Sequence, residues 1–132
     1  MSKARLTPKK VLVIDDNQGI LFAMREALEL KEYDVSVSET FAGVLNIEKS
    51  APDLIYLDIS LVGADGRAIT RQLKGDERTK NIPVIILTAY PNAEQLAKEA
   101  GADGYLPKPF ELAHLWEMTE KYTADSKKKA AR

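Results

Sequence analysis

Four short apolar runs constrain this chain most, because each leads to a residue that can handle phosphate or a divalent metal. Val11-Leu12-Val13-Ile14 ends at Asp15-Asp16, and Leu54-Ile55-Tyr56-Leu57 ends at Asp58. Val84-Ile85-Ile86-Leu87 ends at Thr88, and Gly104-Tyr105-Leu106 leads through Pro107 to Lys108-Pro109. Continuous runs of this kind read as buried parallel strands, joined by the helix-like stretches between them. In a parallel sheet with helical crossovers, all strand C-termini lie along one edge. The sequence therefore collects three carboxylates, a hydroxyl and an ammonium at one site.

The remaining pattern completes a βαβαβαβαβα order. A strand at 10–15 precedes a helix at 17–31, with Ile20, Met24, Ala27 and Leu28 on one face. Residues 33–38 alternate apolar and polar, as a half-exposed edge strand does. Thr40 is placed to cap a helix running to Ser50, with Phe41, Leu45 and Val44 inward and Pro52 stopping it. A strand at 53–58 leads into a loop with Gly63 and Gly66, then a helix to Lys74. A strand at 83–88 and a helix with Ala93, Leu96, Ala97 and Ala100 follow, closed by Gly101 as a left-handed cap. The spacing predicts a short strand at 103–106 and a last helix at 110–123, with Leu112, Leu115, Thr119 and Tyr122 on one face. Five strands and five helices predict a three-layer α/β fold around a mostly parallel sheet.

At 132 residues the chain is sized for one domain with a real core. The reading divides it into a basic tail (1–9), a folded domain (10–123) and a second basic tail (124–132). It has no cysteine, which removes disulfides and thiolate metal sites. No apolar stretch is long enough to span a membrane, and no secretory leader is expected; a cytoplasmic protein is. The net charge of −1 conceals an asymmetry. Eight of the 19 Lys and Arg residues fall in 1–10 and 126–132, and the other 11 face 20 Asp and Glu residues. So acidic a body would repel nucleic acid, and none is expected as a partner.

Three clustered carboxylates repel one another and persist only if cations or protons balance them. Mg2+ suits oxygen donors, and this motif set holds no histidine or cysteine for zinc or copper. Each signal also has an ordinary reading. Asp15-Asp16 could cap the following helix, Asp58 could shape a turn, Thr88 could end a strand, and Lys108 could be a solvated lysine. Their co-occurrence at successive strand ends is what is specific.

The pieces VLVIDDN, LIYLDISLVGADG, VIILTA and GYLPKPF, in that order, resemble the response-regulator receiver domain of two-component signalling. The likeness covers about residues 10–123 and is to the stand-alone type seen in chemotaxis and sporulation-relay regulators. It implies a flavodoxin-like, doubly wound sheet of order 2-1-3-4-5 with five helices. It implies Asp58 as phosphoacceptor, with Asp16 and Asp58 as direct Mg2+ ligands and Asp15 helping to hold the ion. The Ser60 main-chain carbonyl would be a further ligand. Lys108 would contact the phosphoryl oxygens, with a cis peptide at Lys108-Pro109. Thr88 and Tyr105 would be the switch pair, altering the face of residues 89–123 formed by the fourth helix, fifth strand and fifth helix. The implied partners are a histidine kinase or histidine phosphotransfer protein and a downstream protein target, with the chain a monomer or weak homodimer. No turnover of an external substrate is implied, only self-phosphorylation from a donor and slow autodephosphorylation.

The chain departs from the family habit at Val62, where proline is common. Ser60 and Tyr90 flank the site and are placed to gate water. His114, the only histidine, reads as a surface helix residue. Trp116 lies off the last helix's apolar face, either covering the sheet edge or open to a partner. Gly66 and Gly101 read as backbone devices. One rival reading is a phosphorylation-independent adaptor with this fold, against which the intact five-residue set argues. Another is a magnesium phosphatase with Asp58 as nucleophile, which would want a carboxylate where Ser60 stands.

Overall fold

The computed structural model describes residues 7–40, 42, 47, 51–60 and 65–124. Strands β1 (Lys10–Ile14), β2 (Asp34–Ser38), β3 (Leu54–Asp58), β4 (Val84–Thr88) and β5 (Gly104–Pro107) form one sheet. Its order is β2-β1-β3-β4-β5 and every pairing is parallel. Helices α1 (Gln18–Glu29), α2 (Gly66–Gly75), α3 (Ala93–Ala100) and α4 (Leu112–Thr123) supply the outer layers.

Strand alternation divides the core in two. Val11, Val13, Leu54, Tyr56, Ile85 and Leu87 face α1 and α4, meeting Leu21, Met24, Leu28 and Leu115. Leu12, Ile14, Ile55, Leu57 and Val84 face the other way, onto Ile69 and Leu73 of α2. Ile86 and Ile59 meet Ala97 of α3. Strands buried on both faces explain the unbroken apolar runs. Each fully buried Leu or Ile contributes on the order of 2 kcal/mol.

Four helices stand among the described residues where the sequence predicts five. The predicted helix at 40–50 falls mostly outside those residues, as do its Phe41, Val44 and Leu45. Its opening is visible: Thr40 Oγ1 accepts a hydrogen bond from Ala42 N at 3.1 Å, and Ile47 is buried. Val62, Gly63, residues 1–6 and residues 125–132 also lie outside the described residues.

Several face assignments shift. In α1 the buried position falls to Leu21, and Ile20 is only half-buried. Asn17, not Asp15 or Asp16, caps this helix, its Oδ1 accepting from Ile20 N at 2.9 Å. In α4 the buried residues are Leu115, Thr119 and Thr123, while Leu112 is 48% exposed and Tyr122 half-buried. Trp116 is half-buried and does not lie free. Its Nε1 donates to the Ala27 carbonyl at 2.8 Å, with the Lys31 ammonium 4.6 Å from the ring centroid, so it ties α4 to α1. Gly101 caps α3 in the left-handed region (φ 79°), where a side chain would be strained.

Candidate functional site

The sheet edge brings the predicted residues together because β1, β3 and β4 all end there. Asp15 still belongs to the ladder, its N–H donating to the Ser38 carbonyl at 3.1 Å, and it is wholly buried. Its Oδ1 accepts from Asn17 N at 2.9 Å, which fixes the carboxylate at the entrance to α1. Asp58 closes β3, also buried, with Oδ1 accepting from Ser60 N at 3.0 Å. Asp16 is half-buried. The three side chains each offer an oxygen within 4.8 Å of the others.

Lys108 reaches in from the turn after β5. Its Nζ lies 2.8 Å from Asp15 Oδ2 and 3.7 Å from Asp58 Oδ1. The peptide to Pro109 is cis, and Lys108 N donates to the Thr88 carbonyl at 2.8 Å. The contact with Asp15 is an ion pair by distance. Thr88 is buried opposite Pro107 in register, and its Oγ1 accepts from Tyr90 N at 3.0 Å. Tyr105 is half-buried opposite Ile86, packed beside Ile59 and Ala97. Ser60 is exposed, and Tyr90 is 55% exposed. Between them opens a cleft of about 630 Å³, walled also by Ile59, Arg67, Asn92 and Leu96. His114 is exposed, away from this set.

The electrostatics call for a cation. Burial, before any other cause, raises the Asp58 carboxyl above its ordinary range; Asp15 and Asp16 add to this, while Ser60 N and Lys108 oppose it. Two unit charges about 5 Å apart repel by roughly 3 kcal/mol at an effective dielectric of 20. Lys108 offsets only one of three negative charges. The donors are all oxygen and the carboxylates converge. This set fits Mg2+.

Sequence reasoning did not find Asn17 as the cap of α1, though Asn directly before a helical run is a cap signal. Nor did it find the ion pair of Lys108 with Asp15. That contact joins residues 93 positions apart and leaves no local trace.

Residues 11–120 match the family profile described as the response regulator receiver domain. The chain belongs to that family. Among curated relatives, the receiver is 29% identical over 122 residues to the polar-differentiation response regulator DivK of Brucella anthropi, covering 90% of this chain and 99% of DivK. It is 35% identical over 113 residues to the response regulator MprA of Mycobacterium sp. strain KMS, covering 82% of this chain. This receiver thus spans about half the length of MprA, 47% of it. A solved receiver domain of a sensor histidine kinase from Pseudomonas aeruginosa superposes with a TM-score of 0.81 at 25% identity, covering 90% of this chain and all of that one. That structure holds a magnesium ion in its active-site cleft. Among the described residues no helix is long and apolar enough to cross a membrane.

Proposed function

We propose that this receiver is a Mg2+-dependent switch that accepts a phosphoryl group on Asp58. The observation that carries the reading is the convergence of Asp15, Asp16, Asp58 and Lys108 at the end of β3. Asp16, Asp58 and the Ser60 carbonyl would hold the ion, with Asp15 aligned beside it by Lys108. Bound there, Mg2+ supplies charge neutralisation for the phosphoryl oxygens.

A carboxylate is a modest nucleophile, so positioning and electrostatics must supply most of the rate. An Asp58 carboxylate oxygen attacks phosphorus while the bond from phosphorus to the donor's nitrogen or oxygen breaks. The leaving group departs with that electron pair. Ser60 N orients Asp58 through its hydrogen bond to Oδ1. Lys108 is close enough to transfer part of its charge from Asp15 to the incoming group. The product adds about −1.5 to −2 charge at pH 7. Thr88 then turns its hydroxyl from Tyr90 N to a phosphoryl oxygen, and Tyr105 follows into the vacated space. The face of α3, β5 and α4 changes and a protein target reads it. The donor is a histidine kinase or phosphotransfer protein in the cytoplasm.

Incubation with acetyl phosphate, read by intact mass, tests this. Uptake of one phosphoryl group that needs Mg2+ and vanishes in Asp58→Asn is expected. A folded protein that binds Mg2+ yet takes up nothing would replace the switch with a phosphorylation-independent adaptor.

A further inference from the structure

Helix α2 begins with a glycine pressed onto the peptide that follows Asp58. A Cβ at Gly66 would stand 2.6 Å from Ile59 Cα, 2.9 Å from the Asp58 carbonyl oxygen and 3.0 Å from the Ile59 carbonyl oxygen. All three atoms are backbone, so no side chain can swing aside. Gly66 N also donates to the Ile59 carbonyl at 3.2 Å. One turn later in the same helix, the buried Thr70 hydroxyl donates to the Gly66 carbonyl at 2.7 Å. Further along the same helix face, Ile69 and Leu73 pack on Ile55 and Leu57. The helix therefore cannot back away without uncovering core, and an added methyl would displace the Asp58–Ser60 backbone instead. Helix propensity alone would favour alanine over glycine.

We infer that Gly66, held by Thr70, is a positioning residue that sets the Asp58–Ser60 backbone for the divalent cation. The inference rests on the metal reading above. It follows from tolerance. Mg2+ demands near-ideal octahedral geometry at short distances, whereas Ca2+ accepts longer and irregular coordination. A shift of a few tenths of an ångström at Asp58 and Ser60 moves one carboxylate and one carbonyl together, and it penalises the smaller ion more.

The test is calorimetric titration of the full chain with Mg2+ and with Ca2+, alongside Gly66→Ala and Thr70→Val. Gly66→Ala is expected to keep its far-ultraviolet circular dichroism and to bind Mg2+ at least ~10-fold more weakly. Its loss for Ca2+ should be smaller, so the Mg2+ to Ca2+ preference falls. Thr70→Val should shift the preference in the same direction. The Mg2+ concentration for half-maximal phosphoryl uptake should rise, with the plateau rate retained. Wild-type Mg2+ affinity in folded Gly66→Ala, or equal fractional losses for both ions, would overturn the inference. Should Gly66→Ala fail to fold, Thr70→Val decides, and an unchanged preference there overturns it. Wild-type protein that binds neither ion would overturn the metal reading, and the inference with it.

Discussion

Lys108 divides its charge unequally between two buried acids. The short contact is to Asp15, which is wholly buried; the longer one is to Asp58. Removing one partner of such a pair leaves an uncompensated buried charge, a loss of about 3 kcal/mol. Lys108→Ala is therefore expected to lower stability in metal-free buffer by about 2–3 kcal/mol, and saturating Mg2+ should restore part of it. Urea unfolding with and without the ion measures both; an unchanged midpoint would refute the uncompensated-charge account. Asp58 has the opposite sign. Its folded pKa is raised, so its stability contribution is fully present below the unfolded value and lost as pH rises through the folded value. Asp58→Asn removes that loss. In metal-free buffer the stability advantage of Asp58→Asn over wild type should be near zero at about pH 4 and grow toward pH 7. Melting temperatures of both proteins across that range give the result. A gap independent of pH would show that Asp58 ionises in the fold as it does in water.

At the scale of elements, α4 is fixed to the sheet by hydroxyls as much as by hydrocarbon. Tyr56 Oη and Thr119 Oγ1 lie 2.6 Å apart in the core. Thr119 Oγ1 also lies 2.7 Å from the Leu115 carbonyl, to which only a hydroxyl can donate. The proton order follows: Tyr56 donates to Thr119, and Thr119 donates to Leu115. Burial raises the Tyr56 phenol well above its ordinary range, which keeps that donor proton in place. Tyr56→Phe should cost about 1–2 kcal/mol. The double variant Tyr56→Phe with Thr119→Val should cost less than the sum of the single variants, because neither hydroxyl is then left without its partner. Strictly additive free energies in a double-mutant cycle would refute the coupling.

This seam also marks where sequence reading stopped. The strands and the site at their ends were legible because unbroken apolar runs and the residues closing them are local features. The buried face of α4 was only partly so. Thr123 is buried as well as Thr119, while the apolar Leu112 is largely exposed. Threonine joins a core when its hydroxyl can return to the carbonyl four residues back, as Thr119 and Thr123 do. A pattern built on apolar residues does not score that, and it passes over Thr123 although Thr119 is placed on the face. Trp116 escaped placement for a related reason, since its partner is a main-chain carbonyl 89 positions earlier. The close approach of Gly66 to Asp58 was foreseen as a backbone role, but only the packed structure shows which backbone it meets.

For the whole molecule, metal and fold are linked. A cation that binds only the folded state stabilises it by about 2.7 kcal/mol at one hundred times its Kd. For a domain of this size that is roughly 10 °C in Tm. Mg2+ is expected to raise the melting temperature of the wild-type chain by up to that amount, and to have little effect on Asp16→Asn. Equal shifts in both proteins would place the ion elsewhere.

The sheet order has a consequence during synthesis. β1 is central to the first half, and both of its neighbours, β2 and β3, follow it within residues 10–58. That half can pair as soon as it leaves the ribosome, and β4 and β5 then add outward in the order they are translated. The covering of one sheet face does not keep that pace. Tyr56 and Met24 wait for Leu115 and the rest of α4, the last element made. A nascent chain stalled before residue 112 should therefore hold a paired sheet with one greasy side half open. In that interval the chain is at its stickiest to chaperones and to other copies of itself.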